Sequence, residues 1–261
     1  MKRYSMVLLV FVMGLALAAC SQWTMDLNGR NANRTEESKS RILTAKVMDI
    51  DGTSILLADM TENADQGGIY SVNVDKTDII RADGSTLDSS VLRRGMLVDV
   101  AYDGSIQESF PMELGGITDI YIKEQGDDIV GLYKTVVDDL YAVDSGLNSG
   151  AEILAFDLTG VSNLSQTEKI AFIYLLGNTY KKQTMKGTFE ELCEQGYIDK
   201  DKLYFKKGLL FTIKDTELSG GRFTFDARKW RSGLGAYFYI DCTAKKTSAG
   251  WNYTIGSEAI S

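Results

Sequence analysis

From Ile42 to Ile122 the chain alternates apolar and polar residues in short runs that stop at Asp-Gly pairs. Asp51-Gly52, Asp83-Gly84 and Asp103-Gly104 are the dipeptides that tight hairpin turns favour, because both turn positions need positive φ. Leu43 to Val47, Ile55 to Ala58, Ile69 to Val74, Leu97 to Tyr102 and Ile117 to Ile122 are too short for helices and carry period two. The chain has 25 glycines and one proline, so glycine, Asn and Asp must supply most turn chemistry. Residues 41–123 are predicted as five or six short strands closing, or half closing, into a small barrel.

The pattern changes near Gln125-Gly126. Ile129, Leu132, Tyr133, Val136, Val137, Leu140 and Tyr141 recur at helical spacing. Ser165-Gln166-Thr167-Glu168 and Thr188-Phe189-Glu190-Glu191 are capping boxes, and Gly196 can end the second helix. Alternating runs follow: Leu209, Phe211 and Ile213; Phe223 and Phe225; Ala236, Phe238, Ile240 and Cys242 against Tyr237, Tyr239 and Asp241. Helices followed by strands predict, for residues 124–261, helices packed on an antiparallel sheet. The expected fold class is therefore α+β in two domains, 41–123 and 124–261.

Leu92 to Val100, then Tyr102-Asp103-Gly104, Glu108-Ser109-Phe110-Pro111 and Ile120-Tyr121-Ile122 stand in a distinctive order. This order resembles a small oligonucleotide/oligosaccharide-binding (OB)-like domain of Firmicutes lipoproteins. There a strand-Gly-x-x-Val-x-Val segment precedes Glu-Ser-Tyr/Phe-Pro and a last strand. The resemblance covers about a third of the chain and implies an OB-like β-barrel over 41–123 with no known activity attached. The C-terminal half resembles cystatin-like or NTF2-like α+β folds in pattern only.

The N-terminus carries the most specific motif. Lys2 and Arg3 precede an apolar run from Met6 to Leu17, too short to span a bilayer but of signal-peptide length. The run ends in Leu17-Ala18-Ala19-Cys20, which looks like a bacterial lipobox. Residues 1–19 are thus predicted as a lipoprotein signal peptide recognised at Leu17, Ala18 and Ala19. Cys20 would take diacylglycerol and further acyl chains such as palmitate. Two or three such chains hold a protein at a membrane almost permanently. Residues 20–40 are polar and read as a tether. The expected location is the extracytoplasmic face of the cell membrane, with the lipid anchor as the membrane partner.

Several chemistries are excluded. There is no histidine, so no Ser-His-Asp or Cys-His catalysis and no imidazole metal ligand. Net charge is −8, which disfavours nucleic acid. No nucleotide-binding or serine-nucleophile motif occurs. The acidic pairs Asp127-Asp128, Asp138-Asp139 and Glu190-Glu191 read as solvated helix surface. Asp49, Asp51, Asp59, Glu62 and Asp65 could gather round calcium, but the EF-hand spacing is missing and turn chemistry accounts for Asp51-Gly52. No catalytic residue, metal or cofactor is expected.

Cys193 and Cys242 form an even pair in an oxidising location, so a disulfide is possible, as are two small buried hydrophobes. Arg228-Lys229-Trp230-Arg231-Ser232-Gly233-Leu234-Gly235 sets an indole among cations and glycines. Trp230 and Arg231, supported by Tyr237 and Tyr239, are the candidate ligand contacts; the alternative is an indole packed on the sheet. The leading functional expectation is a non-catalytic binding or accessory module of the envelope with a protein or glycan partner. An envelope enzyme using a carboxylate pair on glycan or peptide, and a structural spacer, are the alternatives.

Overall fold

The computed structural model describes residues 40–61 and 68–261. The predicted signal peptide, Cys20 and the tether up to residue 39 lie outside these residues, as do Glu62 and Asp65.

The first half is a sheet of nine strands: β1 (Arg41–Asp51), β2 (Ser54–Asp59), β3 (Ile69–Asn73), β4 (Asp78–Ile80), β5 (Thr86–Leu87), β6 (Leu97–Tyr102), β7 (Ile106–Gln107), β8 (Met112–Leu114) and β9 (Asp119–Glu124). Their order is β5-β4-β9-β6-β1-β2-β3-β8-β7. Leu43, Ala45, Val47, Ile55, Leu57, Val98, Val100 and Ile120 fill one apolar interior, every second residue of long alternating strands.

The second half runs α1 (Ile129–Ala142), β10 (Ile153–Gly160), α2 (Gln166–Tyr180), β11 (Gln183–Lys186), α3 (Phe189–Glu194), β12 (Gly208–Asp215), β13 (Arg222–Ser232), β14 (Gly235–Thr247), β15 (Gly250–Thr254) and β16 (Ser257–Ile260). Both predicted capping boxes form, at Ser165/Glu168 and Thr188/Glu191. Asp128 caps α1 by accepting from the Gly131 amide at 2.8 Å.

The expected α+β architecture is overturned. The described residues are 46% strand and 19% helix, arranged as two large open sheets with no closed barrel. The first sheet stays open because its two edge strands, β5 and β7, pair only with β4 and β8 and not with each other. The second is not purely antiparallel either. β10 pairs in parallel with both β11 and β12. Parallel neighbours need crossovers, and α2 supplies one while α3 lies in the other. The path moves from β10 to β11 and then back across to β12. That reversal sets the helices on opposite faces: Phe172 and Leu176 of α2 pack with α1, and Leu192 of α3 packs on the other side with Phe205 and Leu210.

One helix serves both sheets. Ala171, Phe172 and Leu176 of α2 join the core of the second sheet. Its N-terminus reaches the first sheet, where Thr167 Oγ1 donates to the Asp59 carbonyl at 2.7 Å and Lys46 Nζ meets Glu168 Oε1 at 2.6 Å. A helix with a sheet on either side has no single apolar stripe. Nearby, a Cβ on Gly126 would stand 2.0 Å from the Gly95 carbonyl oxygen. Only glycine permits that approach.

Candidate functional site

A cavity of about 460 Å³ lies where β1 meets α1 and α2, and Asp49, Asp51, Arg94, Lys134, Asn178, Thr179 and Lys181 are its polar lining. A smaller recess continues from it, sharing Asp49, Asp51, Leu175 and Asn178 and ending at Pro111 and Tyr174.

A β-bulge builds this cleft. Register in the β1–β2 pair runs Val47↔Leu57 and then Asp49↔Leu56, so Met48 is the extra residue. Without it, Asp49 and Asp51 would continue the series Leu43, Ala45, Val47 into the apolar interior. One inserted residue turns a strand over, because side chains alternate with period two. The bulge leaves Met48 buried among the residues around α1 and α2 and puts Asp49 on the face of Leu56. Two carboxylates thereby escape desolvation and line the cleft.

The opposite wall is cationic. Lys134 projects from the second turn of α1 and pairs with Asp138 at 2.8 Å. Arg94 Nε binds the α1 cap, Asp128, at 3.2 Å. Gly131 is required beside that cap, since a Cβ there would stand 2.2 Å from the Asp128 carboxylate. Lys181 ends α2 in the left-handed conformation, φ 51°. Asn178 offers an exposed amide one turn earlier. At the far rim Phe110 is 70% exposed, with its ring edge-on to Tyr174 at 5.7 Å. The Glu-Ser-Phe-Pro segment noted in the sequence thus ends over α2. The site offers both signs of charge, an amide and an aromatic shoulder, which suits a polar ligand carrying charges of both signs.

The residues singled out from sequence are not gathered in one place. Trp230 packs beneath α3, edge-on to Phe189 at 5.2 Å. Arg231 turns to the other face, where its guanidinium donates to the carbonyls of Leu147, Ser149 and Lys206. Tyr239 is buried with α1, and desolvation pushes its hydroxyl up to about 12. Tyr237 sits beside it and donates to Glu258 at 2.8 Å. Cys193 and Cys242 are free thiols on opposite faces of the second sheet. Burial raises both thiols, Cys242 to about 11.

The acidic pairs hold structural partners. Asp138 accepts from Lys134 and from Tyr180, Asp139 accepts from Tyr253, and Asp127 pairs with Lys246. Glu191 closes the α3 capping box. Of the calcium candidates, Asp49 and Asp51 face α2, while Asp59 shares the opposite face of β2 with Leu57. Among the described residues no group of three metal-ligating side chains converges. Arg94, Lys134, Asn178 and Lys181 escaped the sequence reading because they come from three distant segments with no common motif. The bulge did leave a signal, the doubled apolar pair Val47-Met48 inside an alternating run. No family model matches the chain, and no curated protein is detectably similar to it.

Proposed function

We propose that this chain is a lipid-anchored binding module of the bacterial envelope, held outside the cytoplasm through Cys20, whose ligand seats in the cleft between β1 and α1–α2. Leu17-Ala18-Ala19-Cys20 supports the anchor. The observation that carries the binding reading is the bulge at Met48. A strand register that changes at one residue to present two carboxylates to a cationic wall is a feature of a site rather than of a core. The ligand class that fits is a peptide or amino-sugar glycan with both an ammonium and a carboxylate.

Two measurements test this. Metabolic labelling with a fatty acid should mark the wild-type chain and not Cys20→Ala; a label retained by Cys20→Ala would remove the anchor. A thermal-shift screen of short peptides and amino-sugar glycans should then find a ligand that raises Tm. At a hundredfold excess over Kd the gain is about 2.7 kcal/mol, or roughly 5–10 °C for a domain of this size. Asp49→Asn with Asp51→Asn should abolish the shift while leaving the unliganded Tm within about 2 °C, since both side chains face solvent in the cleft. No shift across the screen, or a shift the double variant keeps, would overturn the cleft as the seat.

A further inference from the structure

The end of the second sheet farthest along β13 presents apolar side chains to solvent. Gly233-Leu234 is the two-residue connection between β13 and β14, and Leu234 is 93% exposed. Beside it Leu203 is 46% exposed with φ 48°. Leucine is rarely left-handed, because its Cβ crowds the carbonyl there. The strain is held by a weld between the two loops: the Gly233 amide donates to the Leu203 carbonyl at 2.9 Å, and the Phe205 amide to the Arg231 carbonyl at 2.8 Å. Arg231 also lies 5.9 Å from the centre of the Tyr204 ring. Two leucines are therefore fixed side by side, pointing out of the protein, with Tyr204 exposed beside them.

Backbone strain kept only to expose an apolar residue points to use of that residue. The surroundings indicate what it meets. Lys200, Asp201, Lys202 and Lys206 are exposed in the Leu203 loop, in a chain whose net charge is −8. Lys202 is paired with Asp199 at 2.8 Å, so Lys200 and Lys206 against Asp201 leave the loop net positive. A projecting apolar tip with a tyrosine at its base and a net positive loop matches the water–lipid interface, where aromatic rings settle at headgroup depth and lysines meet anionic headgroups. A second copy fits poorly, since it would bring the same lysines against each other. We propose that Leu203 and Leu234 form a membrane-docking tip that inserts into the headgroup region of an anionic bilayer and lays the anchored body down on it.

This goes beyond the anchor and rests on it only for which bilayer is met. A single lipid signal fixes distance, and the tip adds orientation.

The test uses the protein as cells make it, purified and reconstituted on vesicles of phosphatidylcholine with or without a third of phosphatidylglycerol. An environment-sensitive fluorophore is attached at Leu234→Cys in a Cys193→Ser background. The expected result is a blue shift on the anionic vesicles, lost on neutral ones and in high salt. A label at Gly250→Cys should stay aqueous throughout. Leu203→Gly separates docking from folding, because it should raise Tm by releasing the left-handed strain and yet cut the immersed fraction about tenfold. A Leu234 label that stays aqueous on both vesicles overturns the tip, as does a shift equal on neutral vesicles or untouched by Leu203→Gly. A label aqueous on vesicles but shielded in intact cells would assign the patch to a protein partner instead. The intact mass of the same sample reports acylation separately, so failure of the anchor and failure of the tip are read independently.

Discussion

Lys46→Met is expected to cost about 3–5 kcal/mol, the range for removing one partner of a buried ion pair. Lys46 Nζ and Glu168 Oε1 stand 2.6 Å apart, with side-chain exposures of 15% and 5%. The other carboxylate oxygen, Oε2, accepts from the Ser165 amide at 2.9 Å, closing the α2 capping box. Glu168 therefore does two jobs, capping α2 with one oxygen and joining it to the first sheet with the other. Without Lys46 the anion stays buried with one amide and the helix N-terminus for company, which offsets part of the desolvation but not the lost charge. The figure should fall toward the low end of the range for that reason.

The paired experiment separates charge from packing. Lys46→Met with Glu168→Gln removes both charges and keeps both volumes, so it should recover much of the loss. Chemical denaturation of the two single variants and the double one completes the cycle. A Lys46→Met chain within about 1 kcal/mol of wild type would mean that water reaches the pair and that the join between β1 and α2 is apolar.

Much of the local structure was legible in the sequence, and the topology was not. The α1 periodicity and both capping boxes appear in the structure at the expected residues, and Gly52 and Gly84 take positive φ in hairpins, whereas Asp103-Gly104 joins β6 to β7, which do not pair. Local signals act through neighbours three or four residues away, so a single chain shows them. The parallel pairing of β10 escaped because β11 is Gln183-Thr184-Met185-Lys186, a polar edge with no alternation to betray it. β14 misled for a different reason. Read at strict period two, Tyr237 and Tyr239 oppose Cys242; in the structure Asp241 takes φ 53° and shifts register, so Tyr239 and Cys242 face the same core. The bulge at Met48 works the same way on β1. In both strands one extra residue moved the site or the core to the other side, and a period read without a partner strand cannot count it.

The segment around Trp230 shows what strict alternation could have yielded. Phe223, Phe225, Ala227 and Lys229 share one parity, and β13 itself keeps it, so Lys229 points inward with the core. Among the described residues Lys229 is a cation with no exposure at all, although it stands between Arg228 and Trp230 in a run read for ligand contacts.

Lys229→Met should therefore be among the most damaging single changes, costing about 3 kcal/mol or more by stranding buried acceptors. The ammonium donates to the Val143 carbonyl at 2.5 Å, to Asn148 Oδ1 at 3.2 Å and to the Asp144 carbonyl at 3.3 Å. These oxygens follow the end of α1, where the helix dipole is negative and favours a cation. Asp144 adopts φ 42°, which bends the chain after α1 and lets the carbonyls converge. Among the described residues no carboxylate is bonded to the ammonium, and desolvation lowers its pKa from 10.5 to about 8. The pH dependence has a definite sign. Between about 8 and 10.5 the unfolded chain holds this proton more firmly than the folded one, so stability rises as pH rises through that window and falls back as pH drops toward 8. Tyr133, Tyr180 and Tyr253 act in the opposite direction. Burial, and then their hydrogen bonds to Asp215, Asp138 and Asp139, hold their pKa values well above 10. Above pH 10 the unfolded tyrosines ionise while the folded ones do not, and stability declines. The raised thiols of Cys193 and Cys242 pull the same way as the tyrosines from about pH 9 upward. The Lys229 contribution is therefore read as a difference between two chains. In thermal melts from pH 7 to 11 the Tm of wild type minus that of Lys229→Met should grow as pH rises from about 8 to 10.5, while both chains drop above pH 10. A difference that stays flat across that window would mean that Lys229 keeps an ordinary pKa within its ring of carbonyls.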